Sequence, residues 1–284
     1  MSELLKSYSR QPKIYLRLPS GGQFYANNPT EKTGTGELPV LSMTAKDELI
    51  LRTPDALMNG ESVHACIKNC IPLIDDPWEI PLIDLDAILI AIRIATYGEK
   101  MKMTVPVPRV ENEDLEIEVD LVSMLDSFNG KVWEPIVKYG ELTLHTAPLK
   151  FQDQNIYEQQ NYETQKFISL MRDNDRPLAE RKGQMTQLFE SISDMNVDII
   201  AKQIKAIETP DGEFEYNAVA IKEFLNSLAV KEFDIIRDQM QQRRELFDLP
   251  PQKVVVPQNL IEEGAPKDFE VPMVFNQASF FALK

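Results

Sequence analysis

The residues of this chain that could do chemistry are few, and their spacing argues against most reactions. His64 and His145 are its only histidines, and so the only side chains whose ordinary titration lies near neutral pH. A Ser-His-Asp triad needs one of them beside an activated serine, and no Gly-x-Ser-x-Gly turn occurs. Both read as structural. His64, Cys66 and Cys70 group metal-ligating types together. On a helix, Cys66 and Cys70 share a face and His64 lies on another. Zinc sites more often use Cys-x-x-Cys with a second ligand pair elsewhere, and no second cluster follows, so two buried reduced cysteines are expected. Gly34-Thr35-Gly36 sits in a polar loop with no helix directly behind it, unlike a nucleotide-binding turn. Carboxylates abound, with 45 acidic residues, so pairing alone says little. Asp75 and Asp76 stand beside Pro77, Asp84 reads as a helix cap, and Asp86 as a first-turn dipole partner. Sequence places no two acids across a glycosidase cleft. The expectation is no catalytic residue, no cofactor and no metal.

Composition agrees. The 284 residues carry 45 acids against 30 bases, a net charge of -15. Phosphate binding needs clustered Lys and Arg, and no basic stripe is present, so nucleic acid is excluded as a partner. An acidic surface suits a basic partner. The most apolar run, Leu85 to Ala95, is too short for a membrane span and contains Arg93. MSELLKSYSR has no hydrophobic signal core, and Cys66 and Cys70 suit a reducing cytoplasm.

The elements that must position any site follow from periodicity and punctuation. Ile14 to Leu18 and Val40 to Met43 read as a strand pair. Thr44-Ala45-Lys46-Asp47 resembles a capping box, Ser62 reads as the cap of a helix through Cys70, and Asp84 as the cap of Leu85 to Tyr97, ended by Gly98. That helix is apolar nearly all round and belongs in a core; Arg93, its one cation, must reach a partner or the surface. Lys102 to Val105 and Glu116 to Leu121 alternate as an extended hairpin, and Leu142 to His145 adds a short strand. Helical spacing follows at Glu163 to Met171, after Pro177, at Ile200, Ile204 and Ile207, after Asn217, and from Phe233 toward Leu246. Strand character returns at Lys253 to Val256 and Phe269 to Phe275. MTVPVPRVENEDLEIEVDLVSML and VVVPQNLIEEGAPKDFEVPMVFNQASFF share an order of features, readable either as a repeat or as two unrelated hairpins.

The predicted fold is α+β: an N-terminal mixed region around a buried central helix, a ribbon-like hairpin, a helical block and a second ribbon-like tail. The expected divisions are 1–150, 151–249 and 250–284. Trp78 and Trp133 stand in Pro-flanked connectors, as core anchors or contact hot spots. Phe280 and Phe281, with Phe275 before them, are large apolar residues near the chain's end, suited to docking on their own domain or on a neighbour. These five are the candidate interaction residues.

LPSGGQFY, MTAKDELILRTPDALMNG and DLDAILIAIRIATYG, in that order, resemble the baseplate hub protein family of T-even-like, contractile-tailed bacteriophages. The resemblance covers residues 14 to 150, loosens through the helical block, and returns at FEVPMVFNQASFF. It implies a non-enzymatic phage tail protein, a baseplate hub component or hub assembly factor. The protein would be made in the host cytoplasm, contact other hub or tail proteins or a second copy of itself, and be a candidate virion component. A transient tail assembly chaperone absent from the virion is the alternative, and a tail-associated cell-wall hydrolase a further one. The resemblance also implies Cys-x-x-Cys pairs in hairpins matching residues 102 to 121 and 253 to 275. Here those loops hold Pro106-Val107-Pro108 and Gly264-Ala265-Pro266, with no cysteine. If the match holds, strand pairing and prolines keep the shape without metal.

Overall fold

The computed structural model describes residues 9–53, 60–110, 113–171 and 192–273. The fold is α+β, with short antiparallel sheets among helices. The chain divides into two compact units. The first gathers the chain up to Pro77, Ile83–Lys131, and the chain from Phe247 onward; the second holds Trp78–Leu82 and Val132–Leu246.

In the first unit β1 (Pro12–Leu16) pairs antiparallel with β2 (Leu38–Leu41), as the alternation predicts. Helices α1 (Ala45–Leu51) and α2 (Glu61–Cys70) follow, then α3 (Leu82–Tyr97). Thr44 caps α1 in a reciprocal capping box with Asp47. Asp47 is itself buried, and also accepts a hydrogen bond from Asn69 Nδ2 at 2.8 Å, which ties α1 to α2. Ile88, Leu89, Ile90, Ala91 and Ile92 of α3 are all buried, so apolar residues on every face do mark a central core helix. Arg93 is buried too, with its guanidinium over the Tyr97 ring at 5.2 Å. Burial pulls its pKa down from the ordinary arginine value.

Two expected caps are corrected. Helix α2 starts at Glu61 behind Gly60, whose φ of 72° turns the chain into the helix, and Ser62 lies inside it, fully buried. Helix α3 starts at Leu82, directly after Pro81; the Leu82 amide, an orphan donor of the first turn, is satisfied by the Leu149 carbonyl at 2.8 Å. Asp84 is therefore within the first turn rather than before it, and its carboxylate serves a different purpose.

Two hairpins complete this unit. β3 (Lys100–Pro106) and β4 (Asp114–Asp120) pair along their full length, and α4 (Leu121–Asp126) follows, capped by Asp120. After the second unit, β9 (Gln252–Val255), α9 (Gln258–Glu262) and β10 (Asp268–Val271) form the other hairpin. The two share one register. Pro106 faces Asp114 and Val255 faces Asp268; one residue on, the Val107 amide donates to Glu113 and the Val256 amide to Lys267. Asp-Leu-Glu-Ile at 114–117 thus corresponds to Asp-Phe-Glu-Val at 268–271. Their ends meet in one apolar cluster of Val107, Val256, Leu260 and Ala265, flanked by Leu115 and Phe269.

The second unit is built on a four-stranded antiparallel sheet. Its strands are β5 (Ile136–Tyr139), β6 (Leu142–Thr146), β7 (Ile204–Glu208) and β8 (Phe214–Glu215), in that order. Helices α5 (Phe151–Met171), α6 (residues 192–203), α7 (Ala218–Ser227) and α8 (Val230–Glu245) accompany it. Val137, Leu144 and Ile207 of the sheet share a core with Ile221, Leu225, Ile236 and Met240. The predicted helix through Ile200, Ile204 and Ile207 stops at 203. From Ile204 the chain is strand because pairing with β6 completes the sheet, and that outweighs the helical spacing. The helix expected at Glu163 to Met171 is the latter half of α5, while the element opened by Pro177 lies outside the described residues. Tyr157 of α5 donates to Asp198 at 2.8 Å, and Lys222 of α7 reaches the same carboxylate at 3.0 Å.

Candidate functional surfaces

The sequence-predicted contact residues fall in different settings. Trp78, half-buried in a 3-10 turn, stacks on the fully buried Phe151 with ring centroids 4.9 Å apart. The strand-like connector behind it is fastened to the start of α5: Phe151 N–H donates to the Ile80 carbonyl at 2.8 Å, and Lys150 pairs with Glu79. Trp133 is 5% exposed. The chain just after it is held by Arg243, which donates to the carbonyls of Glu134 and Ile136. Phe275, Phe280 and Phe281 lie outside the described residues.

The residues weighed for chemistry are held in small, separate arrangements. Cys66 and Cys70 are both buried on α2. A hydrogen bond between the two side chains, then burial, push the Cys66 thiol well above its usual pKa, which leaves it unreactive. His64 Nε2 faces Asp76 at 3.4 Å, and Asp75 pairs with Lys32 at 2.7 Å. His145 Nε2 lies 2.9 Å from Glu208 across the sheet. Gly34-Thr35-Gly36 runs into strand β2 rather than into a helix. Among the described residues no three His, Cys, Asp or Glu side chains converge as metal ligands, and no helix is long and apolar enough to cross a membrane.

One buried polar constellation escaped the sequence reading. Asp84 accepts from the Ser20 amide at 2.7 Å, the Ser20 hydroxyl at 2.5 Å and the Tyr25 hydroxyl at 3.0 Å. The Ser20 oxygen also accepts from Gly22 N–H at 3.1 Å. The LPSGGQFY turn is thereby latched to the first turn of α3. Burial raises the Asp84 carboxyl to about 6, against the opposing pull of those three hydrogen bonds. The signal available in sequence was an acid in the first turn of an otherwise apolar helix. The carboxylate is sealed from solvent. The constellation ties the backbone of the turn to the helix.

The first unit also carries an open groove of about 490 Å³ beside β1, with walls that include Tyr15, Arg17, Val122, Leu125 and Phe128. Charge in its lining comes from Arg17, Glu37, Asp126 and Lys131.

A family model described as T4 bacteriophage base plate protein matches residues 11–246. No curated protein and no solved structure matches the chain.

Proposed function

The chain belongs to the T4 bacteriophage base plate protein family, and from that premise we propose that it is a baseplate hub component or hub assembly factor that catalyses no reaction. The observation that carries this reading is the family match across residues 11–246. The ordered motifs LPSGGQFY, MTAKDELILRTPDALMNG and DLDAILIAIRIATYG support the hub assignment. Its partners are other hub or tail proteins, with a second copy of the chain as a further candidate. Assembly takes place in the host cytoplasm and the product is carried in the virion tail. Trp78, Trp133, Phe275, Phe280 and Phe281 form the proposed contact set; Trp133 acts from beneath the surface by shaping its connector.

Mass spectrometry of purified particles tests this. Peptides of the chain at a fixed ratio to other baseplate proteins are expected. Their absence from particles, with the chain present in infected cells, would replace the structural role with that of a transient assembly chaperone. Mild purification from infected cells with no other tail protein attached would overturn the contact reading. Lysis zones on peptidoglycan gels would point instead to a hydrolase.

A further inference from the structure

Among the described residues β1 pairs with β2 alone, so its other edge carries no strand. Tyr15 sits opposite Pro39 in that ladder. Proline has no amide hydrogen to give, so this pair exchanges no backbone bonds, and the Tyr15 N–H and C=O both point away from β2. Neither meets a backbone partner among the described residues. The groove beside β1 follows this edge. Its lining takes six successive residues, Ile14 to Pro19, whereas a groove on a strand's face would meet alternate ones. Half-buried Val122 and Leu125 of α4 stand in the same lining. Along the strand, Leu16 and Leu18 are buried and Ile14 half-buried, while Lys13, Tyr15 and Arg17 alternate with them as an exposed row. That row is cationic. The chain from Leu4 to Thr30 has no Asp or Glu, in a protein of net charge -15. Among the described residues Lys13 enters no ion pair, and Arg17 Nη2 lies 3.5 Å from Glu37 with its side chain 73% exposed. The groove lining is itself balanced, with Arg17 and Lys131 against Glu37 and Asp126, so the exposed row decides the charge of an occupant.

We propose that an extended acidic segment of a partner protein adds to the open edge of β1, with carboxylates facing Lys13 and Arg17 and apolar side chains between them. Pairing with Tyr15 supplies two backbone hydrogen bonds and sets the register. The residues two before and two after the paired one then stand across from Arg17 and Lys13 on the exposed face. Their intervening neighbours turn to the other face, where Val122 and Leu125 offer apolar contact. Charge complementarity selects the acids. The first hairpin of this chain shows the same kind of cross-strand match, with Lys100 on Glu118 at 2.6 Å and Lys102 on Glu116 at 2.9 Å. A second copy of β1 fits poorly, because an antiparallel register centred on Tyr15 sets Lys13 of one copy against Arg17 of the other. The site stands whether or not the partner is a hub protein.

A fluorescein-labelled peptide Gly-Ser-Glu-Val-Thr-Val-Glu-Ser-Gly, read by anisotropy against the full chain at moderate salt, tests the proposal. Saturable binding below about 1 mM is expected. N-methylation of the central Thr removes the amide hydrogen that Tyr15 would accept and is expected to cost roughly tenfold or more in affinity. Lys13→Gln/Arg17→Gln, and equally the Gln-for-Glu peptide, are expected to cost roughly fivefold. Lys100→Gln/Lys102→Gln removes the same charge from β3 and is expected to leave binding within about twofold. No binding at that concentration overturns the proposal. So does an unchanged affinity for the N-methylated peptide, which would mean side-chain attraction without strand pairing, or an equal loss in the β3 variant, which would mean attraction to any cation. A dimer of the free chain in sedimentation that dissociates in Tyr15→Pro would seat a second copy on this edge, and overturns it too.

Discussion

The Ser20 hydroxyl donates to the Asp84 carboxylate at 2.5 Å across 64 residues of sequence. The bond spans a turn with left-handed glycines at Gly21 and Gly22 on one side and the most buried helix on the other. A carboxylate in that position is costly to ionise and also well supplied with donors. Burial is the larger influence, so the group is protonated more readily when folded than when unfolded.

That order fixes how stability depends on pH at this site. The folded pKa, about 6, lies above the ordinary carboxylate value. Asp84's contribution is therefore fully present below the unfolded pKa and is lost as pH rises through the folded one. The two values differ by enough to make the change about 3 kcal/mol. Wild type is expected to gain on Asp84→Asn, by urea midpoint, as pH falls from 7 toward 4. Equal pH profiles for the two proteins would show that Asp84 titrates normally.

Asp47 is expected to act with the opposite sign. Burial pulls its pKa up, but hydrogen bonds from Thr44 and Asn69 and the charge of Arg10 outweigh that and hold it below the usual range. Its contribution is present above the unfolded pKa and is lost as pH falls through the folded value. Asp47→Asn is expected to destabilise the protein at pH 7 and to converge with wild type in acid. A constant gap between the two across pH would show that packing, not charge, is lost.

The contrast between these two aspartates shows what sequence could reveal. Asp47 was legible because a capping box is local: Thr44 and Asp47 are three residues apart. Asp84 reads as a cap in sequence because its partners, Ser20 and Tyr25, come from a turn about sixty residues earlier, and sequence spacing carries no such contact. The same division holds elsewhere. The hairpin of β3 and β4 shows in its alternation, and α3 in its unbroken apolar character. Strand β7 was missed because Ile204 and Ile207 fit both periods, and only pairing with β6 decides between them. The stacked rings of Phe214 and Tyr216 depend on that same sheet.

Trp78 separates anchoring from contact. Its ring stacks on Phe151, so Trp78→Ala is expected to cost about 3 kcal/mol of stability. Trp78→Phe is expected to restore most of this. If Trp78→Ala leaves the melting midpoint unchanged but lowers incorporation into particles, the tryptophan serves a partner alone.

The paired hairpins make a prediction about metal. Val107 and Val256, at equivalent ladder positions, are both buried in one cluster with Leu260 and Ala265. Apolar contact thus joins the hairpin ends. A chelator is expected to leave the melting temperature unchanged. Val107→Ala and Val256→Ala are each expected to cost roughly 1.5 kcal/mol, from the methyl groups removed from burial. Because the two side chains share a cluster, the double variant is expected to cost less or more than the sum, not to equal it. Additive losses would mean two independent hairpins, and a lower melting temperature with chelator would mean that a bound metal contributes to stability.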